Sequence, residues 1–155
     1  MPRFIMTVGI AGVGKTTWAK KFAQENSNVV IHSSDEIRGS VYGSDYSYQR
    51  GGNKDVFPLM RQRTIGDLKK GKTVIYDATN IGVKRRKQLL YEIRTIVPEL
   101  SLEAVYFDVP LDVALERNAQ RSGSAKVPEE AIFRMSRHMV KPSPEEGWDR
   151  LTIVH

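Results

Sequence analysis

One nine-residue stretch governs the interpretation of this sequence: Gly9-Ile10-Ala11-Gly12-Val13-Gly14-Lys15-Thr16-Thr17. It satisfies the pattern G-x-x-x-x-G-K-[S/T] at every fixed position. Glycines let such a backbone curl so that successive N–H groups point inward at phosphate oxygens. The N-terminus of a following helix adds the positive end of its dipole. The pattern therefore predicts a phosphate-binding loop, with nucleotide-binding residues Gly12, Val13, Gly14, Lys15, Thr16 and Thr17.

The context of the loop favours the same interpretation. An apolar strand is predicted before it at Phe4–Val8, and a helix after it at Lys15–Asn26. In such loops the lysine reaches the β- and γ-phosphates and the hydroxyl residue binds Mg²⁺. ATP and Mg²⁺ are therefore the expected cofactors, with Lys15 and Thr16 in those roles. A glycine-rich turn without a ligand is the weaker alternative, and the lack of N-K-x-D disfavours a regulatory GTPase.

Short apolar runs alternate with helical patterns along the whole chain. Strands are predicted at Phe4–Val8, Val29–His32, Thr73–Tyr76, Ser101–Asp108 and Leu151–Val154. Helices are predicted at Lys15–Asn26, Ser34–Val41, Lys54–Lys70, Val83–Ile96, Pro110–Gln120 and Pro128–Met139, with Pro110 and Pro128 as first helical residues. A loop is expected at Gly43–Asn53. Because this alternation implies right-handed crossovers, we expect an α/β P-loop fold with a five-stranded, mainly parallel sheet and helices on both faces, forming one domain over residues 1–155.

Composition and charge narrow the possible functions. The 155 residues include no cysteine, which excludes disulfide scaffolds, Cys-ligated metals and thiol catalysis. The three histidines lie far apart in the sequence, which disfavours a His-based metal site. The net charge of +6 and the pI near 9.6 fit a polyanionic partner and a solubilising surface equally well. The apolar run at the N-terminus is too short for a signal or membrane span, so a cytoplasmic protein without membrane attachment is expected.

A candidate general base follows the second predicted strand, in His32-Ser33-Ser34-Asp35-Glu36-Ile37-Arg38. Ser33 and Glu36 have the spacing of a capping box, so Asp35 is not needed as the helix cap. Asp35 and Arg38 are three residues apart and share one helical face. Beside a phosphate loop, this pair could accept a hydroxyl proton and bind a substrate phosphate. An ordinary surface ion pair is the alternative, and spacing alone favours it.

A second acidic candidate ends the third predicted strand. Asp77 follows Thr73–Tyr76, and ligands of parallel P-loop sheets gather at the carboxyl ends of the strands. Asp77 is therefore a candidate to orient Mg²⁺-bound water or a hydroxyl of the loop, with Thr16 as the other metal-binding residue. A turn in which Asp77 bonds to its own backbone is an equal alternative.

Basic residues cluster at two further places. Arg117 and Arg121 are four residues apart at the end of a predicted helix, followed by a loop of small residues. A lid over about residues 117–128 could bring arginine onto the triphosphate, although cations at a helix C-terminus are also common for dipole reasons. The run Lys84-Arg85-Arg86-Lys87 is more typical of a solvated helix face than of a phosphate-binding track.

Taken together, these motifs resemble the 5′-kinase module of phage-type polynucleotide kinase-phosphatase, within the wider group of P-loop kinases. The matching stretches span nearly the whole chain in the same order: Gly9–Trp18, Ser34–Arg38, Tyr76–Asn80 with Arg85-Arg86, and Phe107–Pro110 through Arg117-Asn118, Arg121 and Val127-Pro128. The resemblance implies transfer of the γ-phosphoryl group of ATP to the 5′-hydroxyl of RNA or DNA. It also implies a functional pairing with a nucleic-acid ligase.

The resemblance implies a role for each matching residue. Asp35 would be the general base on the 5′-hydroxyl, and Arg38 would bind the phosphate on the 3′ side of the terminal nucleotide. Asp77 would support the active site. Arg121 would be the lid arginine on the transferring phosphate, with Arg117 beside it on the nucleotide.

The sequence also departs from that module. The Asp-x-Asp-x-Thr motif of the fused phosphatase is absent, so no 3′-phosphatase activity is expected. The tail Pro142–His155 is similar instead to the ending of small stand-alone P-loop kinases. A small-molecule kinase, acting on a nucleoside, a sugar or a nucleotide sugar as zeta-toxin-like kinases do, is therefore the first alternative. A nucleotide-binding switch without phosphate transfer is the second, and a base at Asp35 argues against it.

Overall fold

The computed structural model of the chain describes residues 1–43, 55–123 and 126–155. The loop predicted at Gly43–Asn53 lies outside these ranges except for its first residue. The start of the helix predicted at Lys54–Lys70 and two positions of the expected lid also lie outside them.

The secondary structure alternates as the sequence predicts. The strands are β1 (Arg3–Val8), β2 (Val29–Ser33), β3 (Thr73–Asp77), β4 (Ser101–Phe107) and β5 (Arg150–Val154). The helices are α1 (Lys15–Glu25), α2 (Ser34–Tyr42), α3 (Val56–Lys69), α4 (Val83–Ile96), α5 (Leu111–Ala119) and α6 (Glu129–His138). A short 3₁₀ helix, Pro144–Glu146, precedes β5.

The five strands form one sheet in the order β2-β3-β1-β4-β5, and every neighbouring pair is parallel. β1 therefore lies at the centre, with β3 on one side and β4 on the other. The register pairs Ser33 with Asp77, so the carboxyl ends of β2 and β3 lie side by side. The loops that leave β1, β2 and β3 consequently emerge at one edge of the sheet, where such folds bind ligands.

Helices cover both faces of the sheet, and alternate residues of each strand enter different cores. Phe4, Met6 and Tyr76 pack on one face with apolar residues of α3 and α4. Ile5 and Ile75 pack on the other with residues of α1, α5 and α6. A parallel strand buried on both faces reads as a continuous apolar run, which is why Phe4–Val8 shows no alternation.

Two details of the helices differ from the prediction. Pro110 and Pro128 are the N-caps of α5 and α6 rather than their first helical residues, with ψ of 145° and 138°. Their carbonyls accept the first helical hydrogen bonds, from the N–H groups of Ala114 and Ile132. Proline fixes φ but leaves ψ free, so the ring suits either position.

No helix of the described ranges is long and apolar enough to cross a membrane.

Candidate active site

The phosphate-binding loop joins β1 to α1 in the conformation that its glycines allow. Gly12 and Gly14 have φ of 85° and 95°, in the left-handed region. A Cβ on Gly12 would lie 2.4 Å from the carbonyl oxygen of Ala114. Only glycine can therefore bring this part of the loop so close to α5. The loop then enters α1 at Lys15, so the N-terminus of that helix, which favours anions, lies at the loop.

Lys15 lies inside the loop, where its Nζ donates a hydrogen bond of 2.7 Å to the Ile10 carbonyl. Burial lowers the pKa of Lys15 to about 8. The carboxylates of Asp77 and Asp35 oppose this shift, and the charge of Arg121 adds to it. Negatively charged phosphate next to the ammonium would restore its ordinary basicity, so the site favours an anionic ligand at this atom.

Asp77 connects the end of β3 to the loop. Its Oδ2 accepts a hydrogen bond of 2.9 Å from the Thr16 hydroxyl, and its Oδ1 accepts one of 3.0 Å from the buried Thr7 hydroxyl. Asp77 is itself buried. The turn in which it bonds only to its own backbone is therefore the wrong alternative.

The donor set formed by Thr16 and Asp77 fits Mg²⁺. It offers a hydroxyl and a carboxylate oxygen, and hard oxygen ligands are the ones Mg²⁺ selects. No cluster of three or more acidic, His or Cys residues in the described ranges could hold a metal on its own. A Mg²⁺ site completed by water and nucleotide phosphates matches this sparse set.

Asp35 and Arg38 lie on the first turns of α2, at the carboxyl end of β2. The Arg38 Nη1 donates a hydrogen bond of 2.8 Å to Asp35 Oδ1. The Arg38 side chain is only 6% exposed, whereas the Asp35 side chain is 68% exposed. An ordinary surface ion pair therefore does not describe Arg38. Its burial fixes the guanidinium and leaves the carboxylate of Asp35 open to a ligand.

Only one of the two hydrogen bonds of the predicted capping box forms at the start of α2. The Ser33 hydroxyl accepts a hydrogen bond of 3.4 Å from the Glu36 N–H. Among the described residues, the return bond, in which the Ser33 N–H would donate to the Glu36 carboxylate, is not formed, so the predicted box is incomplete. A capping box with both bonds occurs instead at Ser143 and Glu146.

The loop, Asp77 and the Asp35–Arg38 pair line one cavity of about 100 Å³. Its walls include most of the predicted site residues: Gly12, Val13, Gly14, Lys15, Thr16, Asp35, Arg38, Asp77 and Arg121. Thr17 follows on α1 and is exposed. The structure thus brings the carboxylate of α2 to the same space as the phosphate loop, although 20 residues separate Asp35 from Lys15.

The two arginines of the expected lid lie at the phosphate loop. Arg121 lines the cavity, and a Cβ on Gly14 would lie 3.8 Å from Nη1 of Arg117. The Asn118 side chain joins the two ends of this segment. It donates a hydrogen bond of 2.6 Å to the Val127 carbonyl and accepts one of 2.9 Å from the Val127 N–H. The segment between Asn118 and Val127 is therefore tied at both ends.

Sequence patterns did not identify the residues that support the site. The Asn80 side chain donates to the Thr7 carbonyl at 2.7 Å, and the Gly9 N–H donates to the Thr79 carbonyl at 3.0 Å. These bonds join the loop after β3 to the start of the phosphate loop. The positive φ of Asn80, 50°, is the one local feature that a sequence could signal, since asparagine tolerates that region.

The prediction that the basic run of α4 is a solvated helix face is wrong for Arg86. Arg86 is 1% exposed instead of solvated, and it forms a bidentate ion pair with Glu146 at 2.8 and 2.9 Å. Its Nη1 also donates 2.8 Å to the Asn80 carbonyl. Arg86 thus links the loop after β3, through the Asn80 carbonyl, to the Glu146 carboxylate in the segment before β5.

The fold and the loop define a P-loop kinase. Within that class, the chain belongs to the AAA_33 family, an AAA-domain family whose sequence model matches residues 4–142.

Solved structures with different substrates resemble the chain. One is a chain of the Pnkp1/Rnl/Hen1 complex, with 26% identity and a TM-score of 0.60 over 75% of this chain and 38% of that one. A fungal RNA kinase has 16% identity and a TM-score of 0.71, over 100% and 76% of the two chains. A sugar kinase from Janibacter has 14% identity and a TM-score of 0.70, over 99% and 85%. The last two likenesses show the fold alone.

Proposed function

We propose that this chain transfers the γ-phosphoryl group of ATP to the 5′-hydroxyl of RNA or DNA. The observation that carries the proposal is the Asp35–Arg38 pair, whose exposed carboxylate and buried guanidinium line the same cavity as Lys15. A base and an anion-binding group beside a triphosphate are what phosphorylation of a phosphate-bearing alcohol requires. A nucleotide switch requires neither.

On the donor side, the backbone N–H groups of Gly12, Val13 and Gly14 would bind the phosphates, together with Thr17. Lys15 and Arg121 would offset the charge on the transferring group, with Arg117 beside the nucleotide. Mg²⁺ held through Thr16 and Asp77 would neutralise charge on the β- and γ-phosphates. Asp77 also fixes the Thr16 hydroxyl in place.

On the acceptor side, Asp35 would take the proton from the 5′-hydroxyl while the oxygen of that hydroxyl forms a bond to the γ-phosphorus. The bond from that phosphorus to the oxygen shared with the β-phosphate breaks, and ADP leaves with the electron pair. Arg38 would bind the phosphate on the 3′ side of the same nucleotide. Because the Arg38 side chain is buried, it would hold that phosphate at a fixed position relative to Asp35.

A small-molecule kinase is the second candidate. The likeness to a sugar kinase over 99% of the chain favours it, because the same fold accommodates such acceptors. The likeness at 26% identity to a chain of the Pnkp1/Rnl/Hen1 complex supports the polynucleotide acceptor instead. A 5′-phosphate is the group that nucleic-acid ligation requires, so a ligase is the proposed functional partner.

Phosphorylation of a nucleoside and of its 3′-monophosphate tests the choice. If Arg38 binds the 3′ phosphate, the monophosphate should have roughly 10–150-fold higher kcat/KM, because a charge-assisted bond contributes about 1.5–3 kcal/mol. Arg38→Ala should remove that difference, although loss of its bond to the Asp35 carboxylate should also lower both values. Arg38→Lys should recover little, since a point charge cannot reproduce a bidentate fork.

Equal kcat/KM for the two acceptors with the wild-type enzyme would exclude the polynucleotide reaction. Phosphorylation of a sugar in preference to both would establish the small-molecule kinase.

A further inference from the structure

A groove of about 770 Å³ opens beside the active-site cavity. Phe57, Thr79 and Met135 line both spaces, so the two are adjacent. The groove is several times larger than the cavity and is within the range of sites that bury whole ligands. The catalytic roles proposed for the cavity leave the groove unused.

Three helices form the walls of the groove, and each contributes an arginine: Arg61 from α3, Arg85 from α4 and Arg134 from α6. Two of the positive charges in the walls are already paired. Arg61 bonds to Glu92 at 2.7 Å, and Arg86 is held by Glu146. Ion pairs thus leave net positive charge on the other two arginines.

Arg85 and Arg134 are both exposed, and neither forms an ion pair within the part of the chain that the structure describes. Tyr76 also lines the groove. Burial raises the pKa of Tyr76 to about 12, and the charges of Arg61 and Arg85 oppose that shift. The guanidinium group of Arg85 therefore acts on the interior of the groove and not only on solvent.

Two exposed basic residues near Arg85 and Arg134 in the sequence lie outside the groove. Lys87 lies two residues from Arg85 on α4, and Arg137 lies three residues from Arg134 on α6, but neither lines the groove. Both are exposed, as Arg85 and Arg134 are. The sequence alone presents all four as similar surface cations, whereas the fold directs only two into the groove.

Phe57 supplies an apolar surface at the junction of the two spaces. Its side chain is half-buried and lines both the cavity and the groove. An aromatic face is a surface on which a nucleic-acid base stacks, and arginine side chains contact the phosphates of such a strand.

We infer that the groove binds the acceptor strand downstream of its terminal nucleotide, with Arg85 and Arg134 on its phosphates and Phe57 against a base. This inference rests on the proposed function and extends it. It makes the enzyme prefer an oligonucleotide over a nucleoside 3′-monophosphate, whereas Arg38 alone distinguishes the monophosphate from the nucleoside.

Two double variants with the same loss of charge test the inference. Arg85→Ala/Arg134→Ala removes the groove cations, and Lys87→Ala/Arg137→Ala is the matched control. The kcat/KM of each is measured with a 5′-hydroxyl oligonucleotide of about six nucleotides and with a nucleoside 3′-monophosphate. Oligonucleotide binding is followed against salt, and the rise in Tm with ADP reports an intact donor site.

We expect the groove variant to lower the ratio of oligonucleotide to monophosphate kcat/KM by about tenfold or more. Its log Kd against log salt should lose about 1.4 in slope, since two single-strand phosphates contribute about 0.7 each. Each single substitution should remove about half of that slope. The matched control should keep both the ratio and the slope of the wild type.

Equal losses in the two double variants, or an unchanged ratio in the groove variant, would overturn the groove as the strand site while the proposed function stands. A wild-type enzyme that phosphorylates neither acceptor would overturn the proposed function itself, and the groove inference with it.

Discussion

Arg86 and Arg38 are both buried and each is paired with a carboxylate, but the two carboxylates differ in their exposure to solvent. In the Arg86–Glu146 pair both side chains are buried, at 1% and 3% exposure, and two hydrogen bonds join them. In the Arg38–Asp35 pair the arginine is also buried, at 6% exposure, but the carboxylate is 68% exposed.

The difference separates a structural pair from a reactive one. Glu146 also accepts bonds from the Ser143 N–H and the Trp148 indole, which occupy its oxygens. Asp35 faces the cavity that holds Lys15. A carboxylate that is fully bonded inside the protein stabilises the fold, whereas one that is anchored at one oxygen and open at the other can accept a proton.

The largest effect expected from this comparison is on turnover. Asp35→Asn keeps the shape of the side chain and an oxygen that can accept from Arg38, but it removes the base. The kcat should fall by ~10²–10⁴-fold, the usual cost of losing general base catalysis. ADP affinity should change little, and the free energy of unfolding by about 1 kcal/mol or less, since the pair is open to solvent on the Asp35 side.

Steady-state kinetics and thermal unfolding of the Asp35 variant provide the measurement. A kcat within threefold of wild type would make Asp35 a structural residue and the two pairs equivalent in kind.

The second effect is on stability. Glu146→Gln leaves the charge of Arg86 buried without its partner, which typically costs about 3–5 kcal/mol of unfolding free energy. The exposed pair Lys21–Glu25, at 4.0 Å, provides the control, and Glu25→Gln should cost less than about 1 kcal/mol. Urea unfolding of both variants gives the comparison, and similar midpoints for the two would contradict a structural role for Glu146.

The double substitution Arg86→Met/Glu146→Leu sharpens the same test. It removes both charges, so it should recover part of the stability that Glu146→Gln loses.

Acid should also weaken the native pair. Burial by itself raises the pKa of Glu146, but the bonds from Arg86 and Ser143 outweigh it and hold that pKa below its ordinary value of 4.5. The stability from this group is therefore present above pH 4.5 and is lost as the pH falls through the lower native value.

The smallest effect concerns Lys15, whose side chain is half-buried in the phosphate loop. Its pKa is about 8 in the folded chain against 10.5 ordinarily, so between these values the unfolded chain holds the extra proton and stability should rise with pH. Nucleotide phosphate should return the proton to Lys15. ADP affinity should therefore fall above pH 8, by up to about tenfold per pH unit.

Calorimetric titration with ADP between pH 7 and about pH 9.5 measures this dependence. Lys15→Arg keeps its charge throughout that range, so its affinity should stay level where that of the wild type declines. Parallel slopes for the two proteins would assign the dependence to another group.

The phosphate loop shows why some of the site could be predicted locally. Gly12, Gly14, Lys15 and Thr16 act through backbone conformation and neighbouring side chains within one turn, and nine consecutive residues specify that geometry. Asp77 was predictable in part, because the end of a strand can be located from its apolar run. Its bonds to Thr16 and Thr7 could not be, since they cross 61 and 70 residues.

Arg38 and Arg86 show where local sequence misleads. Spacing alone favoured a surface pair for the first, and composition favoured a solvated helix face for the second. Whether a charged side chain is buried depends on which element packs over it. For Arg86 that element is the tail carrying Glu146, 60 residues away.

The sequence by itself determined the fold class, the phosphate loop and the order of the elements, because hydrophobic periodicity and glycine placement act over short distances. The tertiary structure alone decided that the Asp35 carboxylate shares a cavity with Lys15, that Arg86 is buried, and that Arg85 and Arg134 enter one groove while Lys87 and Arg137 do not. Those outcomes depend on the packing of helices from distant parts of the chain around a common sheet edge, and no short stretch of residues encodes them.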